Sequence, residues 1–236
     1  EKSHQISLHG PKAGEILRQL APGWADLPAM GSAAAKIGEV EVVIWRDDPC
    51  GVPGYYIIIP AEAAGRVWMQ IIASFSSGEV GKRAVRPAGW AVFNTVRIEA
   101  GRAMFGIDFD DTVLPAETGQ LGRAVSFTKG CYLGQEIVAR MHARGQVARQ
   151  IVGIKMGEDA LPIAGAPILD EQQNQVGGVT SSTISPVLSN ASIGLAMVKA
   201  AFSKPGTTLR IAAEGAIRPA MVVELPFVKH QLNTLE

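Results

Sequence analysis

Cysteine is scarce in this chain. Of 236 residues only Cys50 and Cys131 carry a thiol, and they lie far apart in unlike contexts. That excludes a disulfide framework and a cysteine-built metal centre, and it fits a reducing compartment. An excess of either charge is also missing, since 22 basic residues offset 22 acidic ones. No global pull toward nucleic acid or an anionic membrane is expected, so an anionic ligand must be met by a local cluster. No apolar run reaches the roughly 18–20 residues needed to cross a bilayer, and the opening EKSHQISLHG lacks the pattern of a signal peptide. We therefore expect a cytoplasmic protein with neither a membrane nor a nucleic acid as direct partner. Histidine is rare too: His4, His9 and His230 are remote from Cys131, and His142 follows it on the same predicted helix. This argues against cysteine-protease chemistry. No solenoid-period repeat or low-complexity segment is present.

What is there is apolar material for a real core, with 47% hydrophobic residues. GPKAGEILRQL places Ile16, Leu17 and Leu20 at helical spacing behind a proline suited to a first turn. EVEVVIWRD and GYYIIIP are β-branched and aromatic runs around the turn-forming DDPCGVP, which predicts a hairpin with Cys50 in its turn. Helix-period apolar residues follow in AEAAGRVWMQIIASF and GWAVFNTVRIEAG. The order predicts an α+β fold, helices on an antiparallel sheet in a ferredoxin-like layer. From about Val147 the chain turns to short apolar runs rich in Gly, Ser, Thr and Val, which predicts a C-terminal antiparallel β-barrel. We expect one domain over 1–146 and the barrel over 147–236.

Three places could carry chemistry. Glu99 ends a predicted helix and precedes Ala-Gly, an unfavourable place for an anion next to the helix dipole. Its partner is Arg97, Arg102 or a ligand. Asp108, Asp110 and Asp111 lack the pattern of a calcium loop and read as a solvated acidic turn; no metal is expected. In TKGCYLGQEIVAR, a helix is predicted from Tyr132 or Leu133, which puts Cys131 at or just before its N-terminus with Lys129 two residues away. Such surroundings favour a thiolate, although free cysteine is also commonly buried and inert. Arg140, Arg144, Arg149 and His142 gather into a basic cluster, either a solvated helix end or an anion site.

RIEAG, LPAE, SFTKGCYLGQEIVAR and GGVTSSTISP together resemble the YgfZ-type folate-binding proteins, relatives of the glycine cleavage T-protein (aminomethyltransferase). The resemblance runs from SLHGPKA onward, and KGCYLGQE is specific to the YgfZ branch. It implies a protein that binds tetrahydrofolate, or a one-carbon derivative, and supports assembly or repair of iron–sulfur enzymes, including ones that modify tRNA. Its partners would be folate and iron–sulfur client proteins. The resemblance assigns Glu99 to the pterin and Cys131 to a functional thiol, with Lys129, Gly130, Tyr132, Gly134, Gln135 and Glu136 completing the motif and Arg144 as a further cofactor-binding candidate. The alternatives are an aminomethyltransferase moving a one-carbon unit to tetrahydrofolate, and a folate-free scaffold. Family members carry a further N-terminal portion before SLHGPKA. Either the sequence is a fragment of a longer chain, or it is a short member, for which we expect self-association through the face that portion would cover.

Overall fold

The computed structural model describes residues 2–22, 27–75, 85–145 and 147–229. The chain divides into two compact units, and the division falls after Phe93.

The first unit is built on a four-stranded antiparallel sheet. Its strands are β1 (Ser3–His9), β2 (Ser32–Ile37), β3 (Val40–Arg46) and β4 (Gly54–Pro60), in the order β1-β4-β3-β2. In GYYIIIP the two-residue period of a strand decides which apolar residues are covered: Tyr55, Ile57 and Ile59 are buried, whereas Ile58 is exposed. Helices α1 (Ala13–Leu20) and α2 (Ala64–Phe75) add Ile16, Leu17, Leu20, Val67 and Ile71 to the same core. The predicted β3–β4 hairpin is present, with Val43 opposite Ile58 and Arg46 opposite Tyr55. Asp48 closes its turn by accepting from the Gly54 amide at 3.0 Å and from Arg46 at 3.1–3.2 Å. Cys50 is buried in that turn.

Helix α3 (Trp90–Glu99) leads into the second unit, where α4 (Leu121–Ala124) and α5 (Gln135–Arg144) precede the barrel. Six strands, β5 (Arg149–Met156), β6 (Pro167–Leu169), β7 (Gln175–Ser185), β8 (Ala191–Lys199), β9 (Thr208–Ala213) and β10 (Ala216–Val223), close in the order β10-β5-β8-β7-β6-β9. Each neighbouring pair is antiparallel. All six contribute to one apolar interior, including Ile154, Ile168, Val179, Val198, Leu209 and Val222. Closure leaves no strand edge unpaired. The alternate residues Ile151, Ile193 and Leu195 form a second apolar patch with Ile98 of α3 and Ala103. The C-terminal end of α3 is thereby packed on the outside of the barrel wall.

Among the described residues no helix is long and apolar enough to cross a membrane.

Candidate functional site

Helix α3 ends at Glu99 because the chain reverses there. Gly101 adopts φ 66° and donates to the Ile98 carbonyl, and Arg102 donates to that of Arg97. The turn holds Arg97 and Glu99 against β7. Strand residues 181, 183 and 185 alternate onto one face, and each meets a side chain of α3. Thr183 shares a 2.7 Å hydrogen bond with Thr95, Ser181 accepts from Arg97 Nη2 at 2.7 Å, and Ser185 donates to Glu99 Oε1 at 2.6 Å.

Arg97 is almost wholly buried, and all three nitrogens of its guanidinium donate hydrogen bonds. Nε donates to Asn94, and Nη1 donates to the Arg102 carbonyl and to Asp108 Oδ2 at 2.6 Å. Asp108 also accepts from the Met104 amide, Thr180 and Ser181. The solvated acidic turn expected from the sequence is therefore corrected at Asp108, whose carboxylate is buried as the counter-charge of Arg97. A buried ion pair needs further hydrogen bonds to offset its desolvation, and here they come from Asn94, the Arg102 carbonyl, Ser181, Thr180 and the Met104 amide.

Glu99 is 4% exposed. Arg97 faces Asp108, so Glu99 has the neutral hydroxyl of Ser185 as its side-chain partner instead of a cation. Oε2 makes no hydrogen bond among the described residues. A buried carboxylate with one oxygen fixed and the other open can accept N–H groups of a ligand, since each oxygen has two lone pairs.

The KGCYLGQE stretch has a different character. Helix α5 begins at Gln135, after Gly134 in the left-handed conformation at φ 88°, so its start lies beyond the predicted Tyr132 or Leu133. Cys131 is thus upstream of the helix N-terminus, and it is exposed. The turn is closed reciprocally: the Tyr132 amide donates to Gln135 Oε1 and the Gln135 amide to the Tyr132 carbonyl, both at 3.2 Å. Lys129 Nζ lies 4.8 Å from the centre of the Tyr132 ring, a cation–π contact. Gly130 and Glu136 are exposed, and the side chain of Arg144 lies outside the described residues. Phe127 stacks on His142 at 4.2 Å. Among the described residues, no hydrogen bond or ion pair joins this stretch to Glu99.

Among the described side chains of the basic cluster, no hydrogen bond or ring contact joins one to another. Arg149 donates to Glu117 at 3.3–3.4 Å and to the Thr112 carbonyl at 3.0 Å, while Arg140 is exposed on α5. Sequence reasoning missed Asp108, Ser181 and Ser185. The signal available was the alternation of hydroxyls in TSSTIS, which a strand presents on one face.

Fold and site together define a two-part protein: an antiparallel α+β layer followed by a closed barrel whose outer wall holds a buried carboxylate. The family models that match are the GCVT N-terminal domain, over residues 1–129, and the glycine cleavage T-protein C-terminal barrel domain, over 149–229. The chain belongs to the glycine cleavage T-protein family. It is 32% identical over 235 residues to an aminomethyltransferase of Desulforamulus reducens, covering 98% of this chain and 62% of that protein. To the aminomethyltransferase of Moorella thermoacetica it is 33% identical over 228 residues, covering 95% and 59%. The crystal structure of glycine cleavage system aminomethyltransferase T from Bartonella henselae shares the fold with a TM-score of 0.79 at 23% identity, over 96% of this chain and 60% of that one. The chain thus spans about three fifths of the length of these relatives.

Proposed function

We propose that the protein binds tetrahydrofolate, or a one-carbon derivative of it, through Glu99 and handles the one-carbon unit as an aminomethyltransferase does. The observation that carries this reading is the state of Glu99: buried, with Oε1 fixed by Ser185 and Oε2 making no hydrogen bond among the described residues. The 2-amino-pyrimidine edge of a pterin offers paired N–H donors, which a carboxylate accepts as it would those of a guanidinium. Burial strengthens such a bond by keeping water from competing for it. Ser185 holds the carboxylate in one orientation, so the ligand meets an acceptor already aligned. Membership of the T-protein family and the name aminomethyltransferase carried by the relatives support the transfer role. The bound folate would supply the one-carbon carrier. We assign Lys129, Gly130, Tyr132, Gln135, Glu136 and Arg144 to its outer portion.

Glu99→Gln tests the reading. It keeps the size and replaces one acceptor oxygen by a donor, so a ligand N–H meets an N–H. Loss of a charged hydrogen bond costs on the order of 1.5–3 kcal/mol, so calorimetry with tetrahydrofolate is expected to show at least roughly tenfold weaker binding. Unchanged affinity would move the site elsewhere.

A second reading, a folate-binding accessory factor for iron–sulfur enzymes, is favoured by the exposure of Cys131 within KGCYLGQE. A glycine-cleavage assay with the lipoyl carrier protein separates the two. Transfer of the one-carbon unit supports the first reading. Its absence, together with complementation of an iron–sulfur client that depends on Cys131, supports the second.

A further inference from the structure

Two features of the barrel wall are not required by the fold, and they meet in one pocket. The first is Gly178. At its neighbour Gly177 a side chain is excluded, because a Cβ would come within 2.3 Å of the Met197 carbonyl oxygen. At Gly178 a Cβ would meet nothing nearer than the Ala166 carbonyl oxygen, at 3.8 Å, and the backbone is not left-handed. The register of β7 shifts on either side, between Gln175 and Gly177 against β6 and between Val179 and Ser181 against β8, while Gly178 itself is regularly paired with Pro167 and Met197. Neither packing nor backbone conformation calls for glycine at position 178, although glycine weakens a strand interior.

The second feature is a pair of cations. Arg149 and Lys199 are direct partners across β5 and β8, so their side chains leave the same face side by side. Like charges so placed repel. Glu117 offsets Arg149 through Nε, and Nη2 reaches the Thr112 carbonyl, but Nη1 makes no hydrogen bond among the described residues. Nζ of Lys199 makes no hydrogen bond or ion pair among the described residues, and its charge acts on Asp170.

Both features line a pocket of ≈ 500 Å³ on the outer face of the wall, together with Met197, Gln175 and Thr180. That volume is in the range of small-molecule sites. We propose that this pocket binds a small carboxylate with a flat apolar body. The carboxylate lies between Lys199 and Nη1 of Arg149, and the flat portion lies on the bare strand at Gly177 and Gly178 beside Met197. The site is separate from Glu99, whose partner Ser185 is at the opposite end of β7.

Benzoate is a suitable probe, with acetate as the carboxylate lacking the flat body. Titration of the full chain, followed by amide NMR, is expected to give saturable shifts at Gly177, Gly178 and Lys199, with acetate at least tenfold weaker. Lys199→Glu and, independently, Gly178→Val are expected to weaken benzoate at least tenfold, the first by reversing a charge and the second by filling the floor. Glu99→Gln is expected to leave benzoate binding unchanged. Absence of saturable shifts would overturn the site. Acetate binding as tightly as benzoate would overturn the flat ligand, and full binding by Lys199→Glu would overturn the carboxylate contact. Should Gly178→Val fail to fold, Lys199→Glu still decides.

Discussion

The α3–β7 contact and the KGCYLGQE stretch lie in the same unit and solve opposite problems. At the first, every ionic group of Arg97 and Asp108 is buried and matched, and three hydroxyls of one strand face meet three side chains of one helix. At the second, Leu133 is fully exposed, Cys131 and Lys129 face solvent, and the turn is held by its own backbone and Gln135. The buried contact is over-determined: a change there is felt as stability. The exposed stretch bears little of the fold, so a change there should be felt in what the protein meets. In the first region Glu99 is the member whose bonding is incomplete, which sets it apart from Arg97 two residues away.

The largest effect expected from this contrast is at Asp108. Asp108→Ala leaves Arg97 buried without its counter-charge, and breaking a buried pair in this way costs about 3–5 kcal/mol. Urea unfolding monitored by circular dichroism is expected to show a midpoint well below that of the wild type. Replacing both partners, Arg97→Met with Asp108→Leu, is expected to cost less than Asp108→Ala alone, because no bare charge remains. If Asp108→Ala were as stable as the wild type, the ion pair would not hold α3 to the barrel.

This network also marks where the sequence stops being readable. Strands β3 and β4 were legible because β-branched runs flank a turn-forming segment. Strands β1 and β2 were not, and both are the edges of the sheet. SAAAKI of β2 has a helix-forming composition that pairing with β3 overrides, and SHQISLH of β1 is half polar because an edge strand is less covered. Asp108 was misread for a related reason. Its partners Arg97, Thr180 and Ser181 are 11, 72 and 73 residues away, and no local pattern shows that a carboxylate will be buried among them. The position of Glu99 at a helix end was legible, but its bond to Ser185 spans 86 residues. In KGCYLGQE the helix start was set early because the apolar spacing runs through Leu133, whereas Gly134 takes the left-handed cap position.

A smaller effect is expected in the first unit, at His9. Both ring nitrogens are buried and make no hydrogen bond among the described residues, and the ring lies 5.7 Å from Tyr56 and 5.4 Å from Phe93. Burial lowers its pKa from 6.5, opposed in part by the charges of Asp47 and Asp48. A histidine with a depressed folded pKa binds fewer protons folded than unfolded. Its contribution is therefore present above pH 6.5 and is lost as pH falls through 6.5 toward the folded value. His9→Phe keeps a ring in place and removes the titration. Thermal midpoints measured from pH 8 to pH 5 are expected to fall for the wild type and to fall less for His9→Phe; parallel curves would remove His9 from the acid response.

The smallest effect on the fold is expected at Cys131, where the contrast is sharpest. Cys50 and Cys131 are chemically the same group, one 3% exposed inside a hairpin turn and the other open to solvent. Iodoacetamide requires access to sulfur, so the native protein is expected to be alkylated at Cys131, with Cys50 modified only on unfolding. Cys131→Ser is expected to leave the unfolding free energy within about 0.5 kcal/mol of the wild type, as for other exposed positions. Folate affinity should persist, because serine keeps the size of Cys131 and the exposed thiol is not among the groups assigned to the folate. A loss of function in Cys131→Ser with fold and folate binding intact would assign the thiol to an encounter with another molecule. A drop in stability instead would mean that the exposed stretch is part of the fold after all, and the distinction between the two regions would fail.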